Sequence, residues 1–287
     1  MTHLDADQGV VVIISPMKCD LHHATRRDNS RGSGALLNRL AYADALTSPS
    51  PLQALQRVPW LAAVPMTTLR GLADQAVLHV SPAGVQLFEQ AETPGVAQFL
   101  LAGGIELLAV RAQVETLIEL VAPFDLILPA AVISGQPYLV RARVQADAQL
   151  LLIPAEAFRR ALIADHTLCL AVLACQAAQF RRQMKQAKSV RLRSADERIG
   201  AYLLALAEAN TGEGECRLPV EKRLIASQLG MTRETFSRAL PGMARFGLRV
   251  TGDLLRCDDL AAARAAFPPD PLIDGPEPVI PLSPNRI

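Results

Sequence analysis

The chain has 287 residues, half of them hydrophobic and one-fifth charged, with 29 basic against 28 acidic side chains; that length allows two folded units with real cores, and the even charge neither favours nor excludes nucleic acid, since local charge decides. Five cysteines, Cys19, Cys169, Cys175, Cys216 and Cys257, are odd in number and form no C-x-x-C pair, which argues against a disulfide framework and a dedicated zinc or iron–sulfur cage. No apolar run approaches the ~20 residues of a membrane span, so the expectation is a cytoplasmic protein without a membrane partner.

Residues 1–50 mix the short apolar run VVVIIS with HHATRRDNSRGSG and TSPSP, a composition with no sustained period that is expected to form a disordered extension. His22 and His23 stand side by side there; solvated side chains are the plain expectation and a metal site the alternative. From Leu52 to Leu72 the pattern predicts two short helices interrupted by Pro59 and Pro65. From Ala76 to Pro154 short runs rich in Val, Leu, Ile and Phe are punctuated at Pro82, Gly84, Pro94–Gly95, Gly103–Gly104 and Pro123. Strands of about four to seven residues with turn signals at such intervals predict an antiparallel barrel or jelly roll, not alternating βα units.

Beyond Pro154 the chain reads as helical. PAEAFRRALIADH predicts a short helix with proline at its start, and Thr167 to Val190 contains neither glycine nor proline. Along that stretch Cys169, Leu173, Gln176, Phe180, Gln183 and Ala187 follow alternating spacings of four and three. This is the pattern of a seam, either against the chain's own domain or shared between two subunits. Ser194 stands three residues before Glu197, a capping box that starts a further helix over Ala195–Ala209. NTGEGECRLP reads as a hairpin-like turn region. The last twenty residues, Pro268 to Ile287, hold seven prolines, so an extended, mobile tail is expected.

The most informative stretch is VEKRLIASQLGMTRETFSRAL. Leu224, Ile225 and Leu229 recur at helical spacing, Gly230 follows them, and Thr232 is a good N-cap for a second helix whose inner face is Phe236 and Leu240. Two helices joined by about three residues form a helix-turn-helix. The outer face of the second carries Arg233, Glu234, Ser237 and Arg238 within its first two turns, where a recognition helix meets base edges. Arginine can donate twice to guanine, glutamate can accept from cytosine N4, and serine can bond either way. Lys222 and Arg223, at the start of the first helix, are placed for phosphates. The plain alternative is a solvated helix face. Pro241 lacks the N–H that would bond the Ser237 carbonyl, so the helix is expected to end or bend near Leu240.

LPVEKRLIASQLGMTRETFSRAL resembles the winged helix-turn-helix of the Crp/Fnr superfamily of bacterial transcription regulators, and RETFSR is similar to the E-x-x-S-R recognition helix of its Fnr branch. The resemblance implies that Glu234, Ser237 and Arg238 read bases in a palindrome of TTGA-like half-sites, with Lys222, Arg223, Thr232 and Arg233 as phosphate or auxiliary contacts. FGLRVTGDLLRCDDLAAARAAF is similar to the wing and terminal helix of that family. SPAGVQLFEQAETPGVAQFLLAGGIELL resembles its sensor barrel, with Gly84 and Gly104 marking turns. LVRARVQADAQLLLIPAEAFRRAL and RSADERIGAYLLAL look most like FtrB-type members.

The implied fold class is α+β: an N-terminal cyclic-nucleotide-binding-like antiparallel β-barrel (jelly roll), a long dimerisation helix and a C-terminal winged helix-turn-helix. The expected organisation is an extension over 1–50, an effector-sensing barrel over 51–164, a dimerisation helix and hinge over 165–192, the DNA-binding domain over 193–267 and a Pro-rich tail over 268–287. The implied partners are double-stranded DNA, a second copy of the chain, RNA polymerase and an unidentified small-molecule effector.

Cyclic-AMP-binding members hold the phosphate with a Gly-Glu-Leu turn and an Arg-Ser or Arg-Thr pair. Here the corresponding stretch is LILPAAVISGQPYLVRARV, with no glutamate and with Tyr138 and Leu139 in place of the pair, so cyclic AMP is not the expected effector. Some relatives bind haem, for which His79 or Cys169 is the alternative axial ligand; the plain expectation is a barrel histidine and a seam cysteine, with no cofactor. The rival reading is a small-molecule-binding or enzymatic cupin-type barrel. A catalytic cupin needs histidines and carboxylates converging on a metal, and His79 is the one histidine in the predicted barrel, so no enzyme is expected.

Overall fold

The computed structural model describes residues 49–112, 114–210 and 215–275. The predicted extension over 1–50 lies almost wholly outside the described residues, with Cys19, His22 and His23.

Two short helices open the described chain, α1 (Pro51–Gln56) and α2 (Met66–Ala73), separated by a 3-10 turn at Pro59–Leu61. The interruptions fall at Pro59 and Pro65 as the sequence predicts. Ser50 caps α1 through the Gln53 amide N–H while the Gln53 side chain returns a bond to Ser50 N–H.

The barrel is an antiparallel sheet of five strands, β1 (Val77–Ser81), β2 (Gln86–Phe88), β3 (Val96–Arg111), β4 (Val114–Val121) and β5 (Arg141–Pro154), in the order β1-β5-β3-β4 with β2 also on β5. A short helix α3 (Pro129–Ser134) lies between β4 and β5. Two strands are far longer than the predicted four to seven residues: β3 has 16 and β5 has 14. Gly103 and Gly104 do not end a strand, and Gly104 does not mark a turn. Both sit within β3, where its register against β5 shifts, so they bend a continuous strand as a bulge. Gly103 has φ +87° and a Cβ there would lie 2.1 Å from the Asp147 carbonyl oxygen, which only glycine permits. Gly84, also at φ +87°, is in a turn as predicted.

The two faces of the sheet carry two cores. One, inside the barrel, gathers Phe88, Leu100, Ile105, Leu107, Val121, Tyr138 and Leu150. The other, between the sheet's outer face and the helices, gathers Phe99, Leu151, Ile153, Phe158, Leu168 and Val172 with α1 and α2. Burying side chains of this size stabilises by roughly 1.5–3 kcal/mol each.

Helix α4 (Ala155–Ala164) meets the long α5 (His166–Leu192) at a 116° bend. Asp165 makes that corner: its carboxylate accepts the Leu168 N–H at 3.0 Å and the Thr68 hydroxyl, and these bonds hold its carboxyl below the usual range. Helix α5 buries Leu168, Val172 and Cys175 against the barrel. Cys169, Leu173 and Phe180, three positions of the predicted seam, face outward.

Helix α6 (Ala195–Ala209) begins at the predicted capping box, with Ser194 N–H donating to Glu197 at 2.7 Å. Beyond the undescribed residues 211–214 come β6 (Glu215–Arg217), α7 (Lys222–Gln228), α8 (Arg233–Met243), the β7 (Leu248–Thr251) and β8 (Leu254–Cys257) hairpin, and α9 (Leu260–Ala266). Strands β6, β8 and β7 form a small antiparallel sheet in that order. The core of this unit joins Ile199, Leu203, Leu206, Ile225, Phe236, Leu255 and Phe267. Phe267 closes it so tightly that a Cβ on Gly200 would sit 2.3 Å from its ring.

The tail departs from expectation. Residues 268–275 are not extended: they turn back with Ile273 buried. Asp274 takes both guanidinium nitrogens of Arg193, at 2.6 and 2.5 Å, at the joint between α5 and α6. Lys185 donates to the Gly275 carbonyl. The proline content excludes a helix but leaves room for a turn clasped by a bidentate ion pair. Residues 276–287 lie outside the described residues. Among the described residues no single helix is long and apolar enough to cross a membrane.

Candidate nucleic-acid interface

Helix α8 is amphipathic. Phe236, Leu240 and Met243 are buried against α6 and the β7–β8 sheet, while Arg233, Glu234, Ser237 and Arg238 are exposed together on its opposite side. Positions three and four apart line one face of a helix, so the four side chains share a face over the first two turns. Thr232 caps the helix, its hydroxyl accepting the Thr235 N–H at 3.2 Å. The bonds at this N-terminus, to the main-chain amide first and then to the Thr232 side chain, hold Glu234 below the usual carboxylate range and thus ionised. Arg238 folds back to the Glu234 carbonyl at 3.4 Å, a weak tether that leaves its guanidinium exposed.

Pro241 does not stop the helix. Helical structure runs through it to Met243 and continues as a 3-10 turn over Ala244–Phe246. Proline already holds the helical φ, and Leu240 and Met243 on either side are buried, which keeps the final turn in place although it lacks one hydrogen bond. The predicted reading positions lie before it.

Helix α7 packs Leu224, Ile225 and Ala226 inward. Its two basic residues part company. Lys222 is half-buried. Arg223 is ion-paired with Glu221 at 2.9 Å and with Glu106 of the barrel at 3.1 Å. Glu106 is buried and also holds Arg143 at 2.9 Å. Leu224 joins Leu108 and Leu117 of β3 and β4 in a small apolar cluster, and Ser227 donates to the Leu117 carbonyl. Arg223, predicted for phosphate, is therefore engaged with the barrel here. Glu106 reads in the sequence as one polar residue in an apolar strand and gave no sign of this contact. The β7–β8 wing adds exposed Arg249 and Arg256, bound to Asp258 at 3.3 and 2.8 Å, which the sequence reading did not single out.

In the barrel, Tyr138 is buried and stacks on Phe88 with ring centroids 3.7 Å apart, and Leu139 points to solvent. The arginines that follow on β5 are already engaged: Arg141 by Glu89 and Glu115, Arg143 by Glu106 and Glu115. Stacked rings thus stand at Tyr138, where the resemblance places a guanidinium. His79 lines a barrel cavity, whereas Cys169 is exposed on the outer side of α5. Among the described residues no group of three or more His, Cys, Asp or Glu side chains is placed to hold a metal ion.

Residues 197–262 match the model of the Crp-like helix-turn-helix domain. No curated protein sequence matches the chain. Solved structures do share its fold. FixK2 from Bradyrhizobium japonicum is 19% identical, over 66% of this chain and 96% of that one, with a TM-score of 0.56. The c-di-GMP responsive global regulator CLP of Xanthomonas campestris is 16% identical, over 68% and 100%, with a TM-score of 0.56. A protein described as a crp/fnr-family transcriptional regulator from Eubacterium rectale ATCC 33656 is 16% identical, over 72% and 96%, with a TM-score of 0.57. The chain thus carries a Crp-like helix-turn-helix, a DNA-binding module, behind a barrel with the fold of such regulators.

Proposed function

We propose that this chain is a DNA-binding transcription regulator of the Crp/Fnr type, close to its FtrB-type members, acting as a homodimer on a palindromic TTGA-like site under the control of an effector other than cyclic AMP. The observation that carries the reading is the exposed row Glu234, Ser237 and Arg238 on the N-terminal turns of a helix whose other side is anchored by Phe236, Leu240 and Met243. A helix held by its apolar back, with donors and acceptors on its free face, suits the major groove.

Lys222, Arg233 and the wing's Arg249 and Arg256 are the phosphate contacts in this reading. Arg223 joins them only by releasing Glu106, so barrel contact and DNA contact compete for one guanidinium. The exposed apolar positions Leu173 and Phe180 on α5 support a seam between two subunits, because burial against a second copy would remove that surface from water. An effector favouring one arrangement of barrel and α5 would then shift the population of dimers whose α8 helices stand one helical turn of DNA apart. RNA polymerase is the expected downstream partner.

Fluorescence anisotropy on a duplex with two TTGA-like half-sites and on a scrambled duplex tests this. The wild-type chain is expected to prefer the first. Arg238→Ala should lose about 1–3 kcal/mol on it and relax the preference at one base pair. An equal loss on every sequence would make Arg238 a phosphate contact and remove it from the reading head.

A further inference from the structure

We infer that the barrel holds a binding site for a neutral, largely apolar small molecule carrying one hydroxyl or carbonyl group, at the end of the barrel formed by β1 and β2. Its regulatory meaning rests on the reading of the barrel as a sensor, but its occupancy does not.

A cavity of about 460 Å³ opens there, within the usual range of small-molecule sites. Its apolar wall includes Val85, Leu87, Leu150 and Leu152, and its polar points include Ser81 and Gln98. The pairing register sets their direction. Ser81 lies opposite Ala148, and Ala148 belongs to the core inside the barrel. Gln98 lies opposite Leu152, another residue of the wall.

Ser81 is the informative residue. It is 1% exposed and its hydroxyl has no hydrogen-bond partner among the described residues. Buried hydroxyls are normally paired, since an unpaired one has lost water and gained nothing. A ligand oxygen would supply the partner once the wall opens to uncover the hydroxyl, which is sealed from water as it stands. Gln98, also buried, hydrogen-bonds Tyr138, and so links the cavity to the stacked Phe88–Tyr138 pair inside the barrel.

The lining also says what is rejected. Among the described residues it contains no Lys, Arg, Asp or Glu, and His79 is its one titratable group. A phosphate or a carboxylate would be stripped of water without a guanidinium or ammonium to replace it. A neutral molecule forgoes nothing of that kind and gains from each methylene it buries.

The fluorescent probe N-phenyl-1-naphthylamine, which is neutral and apolar, tests the site on the full chain. We expect saturable enhancement at one probe per chain and displacement by 1-octanol. Sodium octanoate at pH 8 should displace it at least about tenfold less well, and cyclic AMP not at all. Leu87→Trp and Val85→Trp, checked for folding by circular dichroism, should each abolish probe binding by filling the cavity. Ser81→Ala should keep the melting temperature while weakening 1-octanol about fivefold relative to the probe.

The inference is overturned if the probe does not saturate, if octanoate competes as well as octanol, if either folded tryptophan variant binds the probe like wild type, or if Ser81→Ala leaves octanol unchanged. Anisotropy with the half-site duplex on the same preparations separates the two readings: probe binding without sequence-preferring DNA binding would sink the proposed function and leave the cavity standing.

Discussion

Pro241 shows how a single residue can break a local rule within a helix that still forms. It removes one backbone donor from the turn that carries Ser237, yet the helix continues to Met243 because the side chains around it are buried. Pro241→Ala restores that donor. It should raise stability by about 1–2 kcal/mol in denaturant unfolding and leave the preferred half-site unchanged; a lower stability or a new preferred base would contradict this account of α8. The division of the helix into two faces was legible from the sequence, since helical spacing alone puts Arg233, Glu234, Ser237 and Arg238 on one face and Phe236 and Leu240 on the other. Arg223 was not. Its basic charge at a helix start suggests phosphate, and only the fold brings it to Glu106, 117 residues away in sequence.

Among the elements, α5 has to satisfy two sides. Its outward Cys169, Leu173 and Phe180 keep the predicted seam spacing, while Gln183, a predicted seam position, turns instead to the barrel beside Arg182. Arg182 reaches Asp125 at 2.6 Å and Glu119 at 3.4 Å, and Gln183 donates to Glu119 at 2.7 Å. Burial pushes both carboxyls above their ordinary range, against the pull of Arg182.

With folded values above unfolded ones, these two groups stabilise the fold at low pH and lose that contribution as pH rises through the folded values. Arg182→Met would raise them further. It should cost about 2–4 kcal/mol at pH 7, a partly exposed version of breaking a buried pair, and the cost should shrink as pH falls through the raised carboxyl range. Urea unfolding from pH 7 down to pH 5 checks it; a cost that grows on acidification would mean that Arg182 does not neutralise the pair.

The strands follow the same logic. Their composition was legible, but Gly103–Gly104 looks alike as a turn and as a bulge, and only pairing with β5 across the Asp147 carbonyl decides for the bulge.

At the scale of the whole molecule, the DNA-binding unit does not hang from α5 alone. It is held to the barrel by Leu108, Leu117 and Leu224 and by the Arg223–Glu106 pair, and to the hinge by the folded-back tail through Arg193 and Asp274. The order of barrel, long helix and helix-turn-helix could be read from punctuation and period, because each unit has its own local pattern. The contacts that fix the units to one another could not, because single residues far apart in sequence make them, apolar in the Leu108–Leu117–Leu224 cluster and charged in the Arg223–Glu106 and Arg193–Asp274 pairs.

The central claim is that α8 reads a repeated half-site on behalf of two copies of the chain. Selection of bound duplexes from a random pool, followed by sequencing, tests it most directly. The account predicts an enriched palindrome of TTGA-like half-sites with centres about 34 Å apart along the duplex; enrichment of no motif, or of a single unrepeated one, would contradict it.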